Sequence, residues 1–207
     1  GAWVKGLLVE PDGATNLATY SNTFEDDWST TYLTYDTDIG PDGLASATRL
    51  IPTVTNLQHR VDLNTTVTAV DHTISVYAKA SGYNFVKLRL GPLSCTVDLS
   101  LGTVVGGTGY VQDVGDGWYR CAAYGTPAAN DVFRINAKET LGSDDFVGDT
   151  TSGILIYGAQ IETGLAPTSY FPTSGGTLAE RTRKAESVEI PASVMDSLGL
   201  FDTVAVD

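Results

Sequence analysis

The chain has 207 residues, 42% hydrophobic and 18% charged, which excludes a disordered polymer and suffices for one well-cored domain. A formal net charge of −13 and a sequence pI near 4.3 argue against nonspecific binding to nucleic acid or anionic membranes, since like charges repel at both surfaces. No stretch approaches the length of a transmembrane helix, and no signal peptide is visible.

In chain order, residues 1–43 read as a polar, aromatic-rich lead-in that wraps the main body and supplies one edge strand. The lead-in carries Trp28, Tyr32 and Tyr35 among acidic residues, and "PDG" occurs at 11–13 and again at 41–43. Proline preset at the first corner makes both tripeptides turn signatures.

Residues 44–175 then repeat one rhythm, short apolar alternations separated by Gly, Asn or Asp turns. Strands are predicted at 46–51, 57–63, 72–80, 83–90, 94–98, 109–114, 118–124, 131–138 and 153–161. "HTISVYAKA" sets Ile74, Val76 and Ala78 on one face and Thr73, Ser75, Tyr77 and Lys79 on the other. "YNFVKLRL" turns Val86, Leu88 and Leu90 inward, and "DVFRINAK" does the same with Phe133, Ile135 and Ala137, leaving Arg134, Asn136 and Lys138 outward. Period-two patterning without helical periodicity means an all-β antiparallel sandwich, and a jelly roll is the specific expectation. Residues 176–207 read as a Gly-Gly linker with Arg181, Arg183 and Lys184, followed by "ESVEIPASV", the start of a further unit or an intersubunit strand.

Little in the sequence points to catalysis. His59 and His72 sit in strand contexts as surface or edge residues, and neither a G-x-S-x-G nor an H-E-x-x-H motif is present, so no enzyme activity is expected. Cys95 and Cys121 lack metal-ligand spacing and read as buried thiols, with a bridge as the alternative. No cofactor is expected apart from calcium: Asp144, Asp145 and Asp149 in the Gly-rich "ETLGSDDFVGDTTSG" are candidate oxygen ligands, although the spacing is not that of an EF-hand.

Positive charge is concentrated: half of the 12 Lys and Arg residues fall between Lys79 and Lys138. Lys79, Lys87, Arg89, Arg120 and Arg134 are expected along one sheet face with Tyr77 and Phe85, an arrangement suited to acidic sugars. The alternative is that these bases pair with acids of the same or a neighbouring subunit. Trp28, Tyr32 and Tyr35 form a second candidate sugar platform, or else Trp28 anchors the lead-in onto the core; Trp118 reads as a packing residue beside a hairpin.

The closing stretch "GILIYGAQIETGLAPTSYFPTSGG" resembles the last strand of a domain family found in bacteriophage tail fibres and head fibres. Gly158, Ala159, Gln160, Ile161, Glu162 and Gly164 match its first part, and Thr168, Ser169, Tyr170, Pro172 and Thr173 its second. "GLLVEPDGATNLATYSNTF", "TISVYAKA" and "VQDVGDGWYRCAAYG" are similar to further motifs of the family, so the likeness runs from Gly6 to Arg183. It implies a jelly roll akin to carbohydrate-binding modules and concanavalin-like lectins, in a structural protein exposed on a virion. Partners implied are other virion proteins, further copies in a symmetric assembly such as a trimer, and a host surface glycan. Related carbohydrate modules hold a structural calcium through acids on the last strand. Here Tyr157, Gly158, Ala159 and Gln160 depart from that pattern. Physically, Tyr170 between prolines makes a rigid exit, with its ring expected over the end of the sandwich.

Overall fold

A computed structural model describes residues 14–25 and 28–174. The Pro11–Gly13 turn and the linker and tail of 176–207 lie outside the described residues. The lead-in provides β1 (Ser29–Thr31) and β2 (Leu33–Asp38). There follow β3 (Ala47–Pro52), β4 (Leu57–Asn64), β5 (His72–Ser81), β6 (Phe85–Leu90), β7 (Leu93–Asp98), β8 (Thr103–Gly107) and β9 (Gly109–Gly115). The last are β10 (Trp118–Gly125), β11 (Val132–Lys138), β12 (Asp145–Phe146) and β13 (Gly153–Thr163).

These form two antiparallel sheets. Sheet I is seven-stranded in the order β1-β4-β11-β6-β7-β8, with β12 added to β4; sheet II is six-stranded in the order β2-β3-β13-β5-β10-β9. Sequence neighbours repeatedly fall in opposite sheets, which is the jelly-roll crossover pattern. The lead-in supplies an edge strand to both sheets instead of one, since β1 pairs with β4 and β2 with β3. Two strands escaped the sequence reading: β8, whose "TVVGG" ends in glycines, and β12, with only two residues.

The predicted alternation fixes the core. Leu50, Val61, Ile74, Val76, Leu88, Ile135, Ile154, Ile156 and Ile161 are fully buried between the sheets. Each such side chain contributes roughly 1.5–3 kcal/mol relative to exposure. Cys95 and Cys121 lie in this layer as free thiols. Trp28 joins it too, edge-on to Phe24 at 5.1 Å and to Phe133 at 5.4 Å, with its indole N–H donating to the Thr19 carbonyl at 3.3 Å.

Both histidines correct the sequence reading. His59 and His72 are buried, not superficial. The two ring nitrogens of His59 lie against the carbonyls of Tyr32 (2.6 Å) and Phe146 (2.9 Å), so the ring ties β4 to the lead-in and to β12. Asn136 and Lys138 do point outward, yet are only 3% and 4% exposed. The loop carrying Asp144 closes over them, placing that carboxylate 2.5 Å from Lys138 Nζ.

The family-like closing motif is a clasp between the two flanks of the domain. Gly158 has φ = +65°, a left-handed conformation that interrupts the β13–β5 register between Tyr157 and Gln160. Backbone groups freed there are taken up by the lead-in: Gly158 N–H donates to Asn22 Oδ1 and Ala159 N–H to the Ser21 carbonyl, both at 2.8 Å. Asn16 donates to the carbonyls of Ala159 and Phe171 while accepting from Ile161 N–H. On the exit side, buried Glu162 accepts from Thr168 N–H (3.1 Å) and Thr168 Oγ1 (2.5 Å), and Gln160 Oε1 accepts from Phe171 N–H (3.2 Å). Thr173 N–H donates to Ser21 Oγ at 2.9 Å, and the Thr173 hydroxyl donates to the Ala18 carbonyl. The Tyr170 ring covers the bulge on the outer surface of sheet II, not the end of the sandwich, because the bulge provides the concavity that receives it.

Candidate functional site

Outward-facing residues of sheet II line a concavity. Cross-strand pairing sets Lys79 of β5 between Trp118 of β10 and Leu155 of β13, and the next row sets Tyr77 between Arg120 and Tyr157. Trp118, Leu155 and Ala47 form a small apolar cluster with Tyr77 and Tyr157 packed against it. One end of this surface is closed by the clasp, with Tyr77, Tyr157 and Tyr170 meeting edge-on at 5.5–6.1 Å. Burial raises the pKa of the Tyr170 phenol well above the usual tyrosine value.

The opposite end is a groove of about 550 Å³. Trp118, Leu155 and Lys79 form its floor; the β2–β3 turn, with Asp38, Pro41 and Asp42, lines one side and the β9–β10 turn, with Asp116, the other. The "PDG" turn is formed as expected, with Gly43 at φ = +78°. It is held by Asp42, which accepts from Ser46 Oγ (2.7 Å) and Leu44 N–H (3.0 Å); these bonds lower its pKa. The Asp38 carboxylate accepts from Ile39 N–H at 2.7 Å. A cleft of this volume lies within the roughly 300–1,000 Å³ range of small-ligand sites. Carboxylates above an apolar floor can accept hydrogen bonds from sugar hydroxyls while the floor takes a pyranose face.

The single cationic face expected from sequence is divided between the two sheets. Lys79, Arg120 and Tyr77 lie outside sheet II, whereas Lys87, Arg89, Arg134 and Phe85 lie outside sheet I. The two exteriors look in opposite directions, and period-two patterning cannot distinguish them. Arg120 is 7% exposed, lies over the Tyr77 ring at 5.5 Å, and donates to Ser75 Oγ at 3.3 Å. The platform of Trp28, Tyr32 and Tyr35 is likewise not assembled. Trp28 is in the core, Tyr32 is exposed at φ = +51°, and the Tyr35 hydroxyl bonds with Thr30 Oγ1.

The candidate calcium ligands are engaged elsewhere. Asp144 is shared by Lys87 Nζ (2.6 Å) and Lys138 Nζ (2.5 Å); although burial opposes ionisation, the two ammonium groups hold its pKa below the ordinary value. Asp149 caps its own loop, accepting from Thr151 N–H, Ser152 N–H and Ser152 Oγ, which pushes its pKa far down. Asp145 is exposed in β12. Among the described residues no three His, Cys, Asp or Glu side chains gather as metal ligands.

Sequence reasoning missed the groove. Asp38, Asp42, Asp116 and Leu155 carry no binding motif of their own, while Trp118 packs as expected, 3% exposed in the cluster with Ala47 and Leu155. The available signal was the pair of turns "PDG" and "GDG", which meet across sheet II only once strand order is known.

No protein-family model matches the chain. No curated protein matches it either. Solved structures do. One is the N-terminal CBM22-1–GH10 part of the Clostridium thermocellum endo-1,4-β-D-xylanase 10B, complexed with xylohexaose: 17% identity, TM-score 0.44, covering 73% of this chain and 29% of that one. Another is a sugar binding protein, described as putative, from Bacteroides thetaiotaomicron: 9% identity, TM-score 0.40, covering 72% of this chain and 95% of that one. This chain therefore spans under a third of the xylanase chain. At these scores the jelly-roll assignment stands on the strand pairing itself. The bacteriophage resemblance stands on its motif residues alone.

Proposed function

We propose that the protein is a lectin-like, non-catalytic carbohydrate-binding β-sandwich that takes a neutral oligosaccharide into the groove on sheet II. The observation carrying this reading is the pairing of an apolar floor, Trp118 and Leu155, with a rim of Asp38, Asp42 and Asp116. That rim repels acidic sugars and accepts from neutral hydroxyls. A non-catalytic role is supported by the two histidines, both buried and both turned to backbone carbonyls. The virion setting, with symmetric copies and a host glycan as target, is part of the proposal and rests on the motif resemblance.

The test is a neutral-glycan array, run with and without calcium, on the full chain and on Lys79→Ala and Asp116→Ala variants. Binding that both variants weaken at unchanged melting temperature is the expected result. Absence of binding under both conditions overturns the reading.

A further inference from the structure

The exterior of sheet I is chemically unlike the rest of this acidic protein. Its outward side chains include Arg60 and Asp62 on β4, Arg134 and Lys138 on β11, and Lys87 and Arg89 on β6. Two carboxylates serve four cations here. Asp144 is shared by Lys87 and Lys138, and Asp62 by Arg60 and Arg134. The second division is unequal. Arg60 Nε donates to both Asp62 oxygens, at 3.1 and 3.0 Å, and Arg60 Nη1 donates to Gln58 Oε1 at 3.0 Å. Among the described residues Arg134 is left with a single 3.6 Å approach to Asp62, and its buried Nε has no hydrogen-bond partner there.

Directly across the strand pair from Arg134 stands Arg89. It is exposed, and its one hydrogen bond among the described residues is from Nε to the Gly91 carbonyl at 2.8 Å. Like charges opposed on neighbouring strands destabilise a sheet. In a chain with 25 acidic residues, two adjacent guanidinium groups with unused donors form a site short of an anion. The cross-strand partners of Lys87 and Arg89 on β7 are the small hydroxyl residues Thr96 and Ser94.

We propose that this face binds a carboxylate-bearing polysaccharide, a chain of uronic-acid-type sugars, with Arg89 and Arg134 gripping successive or shared carboxylates. The guanidinium fork matches a carboxylate in bidentate geometry, and neighbouring hydroxyls and the Phe85 ring suit the remainder of a sugar. A protein partner fits poorly, because stable interfaces need an apolar centre and the outward rows of β4, β11, β6 and β7 hold two apolar side chains, Phe85 and Val132. A phosphate polyanion is separated from a uronate chain by the DNA arm of the experiment below. This inference goes beyond the groove: it concerns the opposite sheet and the opposite sugar charge.

The experiment is affinity electrophoresis of the full chain in gels containing polygalacturonate, its fully methyl-esterified form, or single-stranded DNA of matched charge. The expected result is retardation by polygalacturonate alone, weakened by salt. It should fall at least tenfold in Arg89→Gln/Arg134→Gln and be unchanged in Lys79→Gln, which touches only the groove. If the double variant melts lower, the single Arg89→Gln decides, because that side chain holds only the Gly91 carbonyl. No retardation of the unmodified protein overturns the proposal, as does retardation kept by the variants. Equal retardation by DNA overturns it as a nonspecific polyanion effect, and a change of oligomeric state in the double variant overturns it in favour of a contact between copies. None of these outcomes bears on neutral-glycan binding at the groove.

Discussion

Tyr170 rests on the backbone of Gly158: a Cβ at that glycine would lie 3.1 Å from Tyr170 Cζ, while the phenol reaches on to Ser21 Oγ at 2.8 Å. One ring thereby joins the bulge, the lead-in and the exit.

Gly158→Ala meets two penalties at once, a left-handed φ and a crowded ring. The conformational cost alone is about 1–2 kcal/mol. A drop of at least that size in urea-unfolding free energy is expected, with Tyr170→Ala in the same background restoring little, since the φ penalty remains. An unchanged midpoint would refute the clasp.

Alkaline pH should unfold the protein cooperatively. Burial raises the phenol pKa of Tyr170, Tyr157, Tyr83 and Tyr110. A raised folded-state value means that stability is complete below the unfolded tyrosine pKa near 10 and is lost as pH climbs beyond it. Tyrosinate absorbance should therefore appear together with loss of the β-sheet circular dichroism signal. Tyr170→Phe should make the pH dependence shallower.

The acid limb follows from Asp144. Its folded pKa is lowered, so its contribution is present above the ordinary carboxylate value of about 4 and disappears as pH falls through the folded one. Asp144→Asn leaves Lys138, 5% exposed at its side chain, beside Lys87 with no shared carboxylate. Its melting temperature should be lower than that of the unmodified protein at pH 7 and converge with it as the pH falls below the lowered Asp144 pKa.

Both thiols should be silent in the native state. Burial raises the Cys95 pKa to about 11 and that of Cys121 higher still, and only thiolates react rapidly with disulfide reagents. Labelling with such a reagent at pH 8 should track global unfolding in denaturant; fast stoichiometric labelling of the native protein would contradict this placement.

The nine strands predicted from 44 to 161 all form, because a sheet with one buried face writes its pattern into every second residue. That same pattern says which residues share a strand face and nothing about which strands are neighbours. Arg134 and Arg120 look equivalent in sequence, yet one lies outside sheet I and the other outside sheet II. The histidines were misjudged for a related reason. Burial of His59 depends on two distant carbonyls, those of Tyr32 and Phe146, and nothing local to "QHRV" announces them. The groove is a product of turn placement at 38–43 and 114–116, which strand patterning does not encode.

The clasp also governs how the domain responds to tension. Asn16 and Thr173 are each bonded across to the other flank, so a load applied through both flanking segments reaches the Asn16–Phe171 and Thr173–Ser21 bonds early. On the exit side the Glu162–Thr168 contacts stand behind them. Stretching would open this junction first and leave the sandwich folded, which makes the crossing of the two flanks a mechanical fuse.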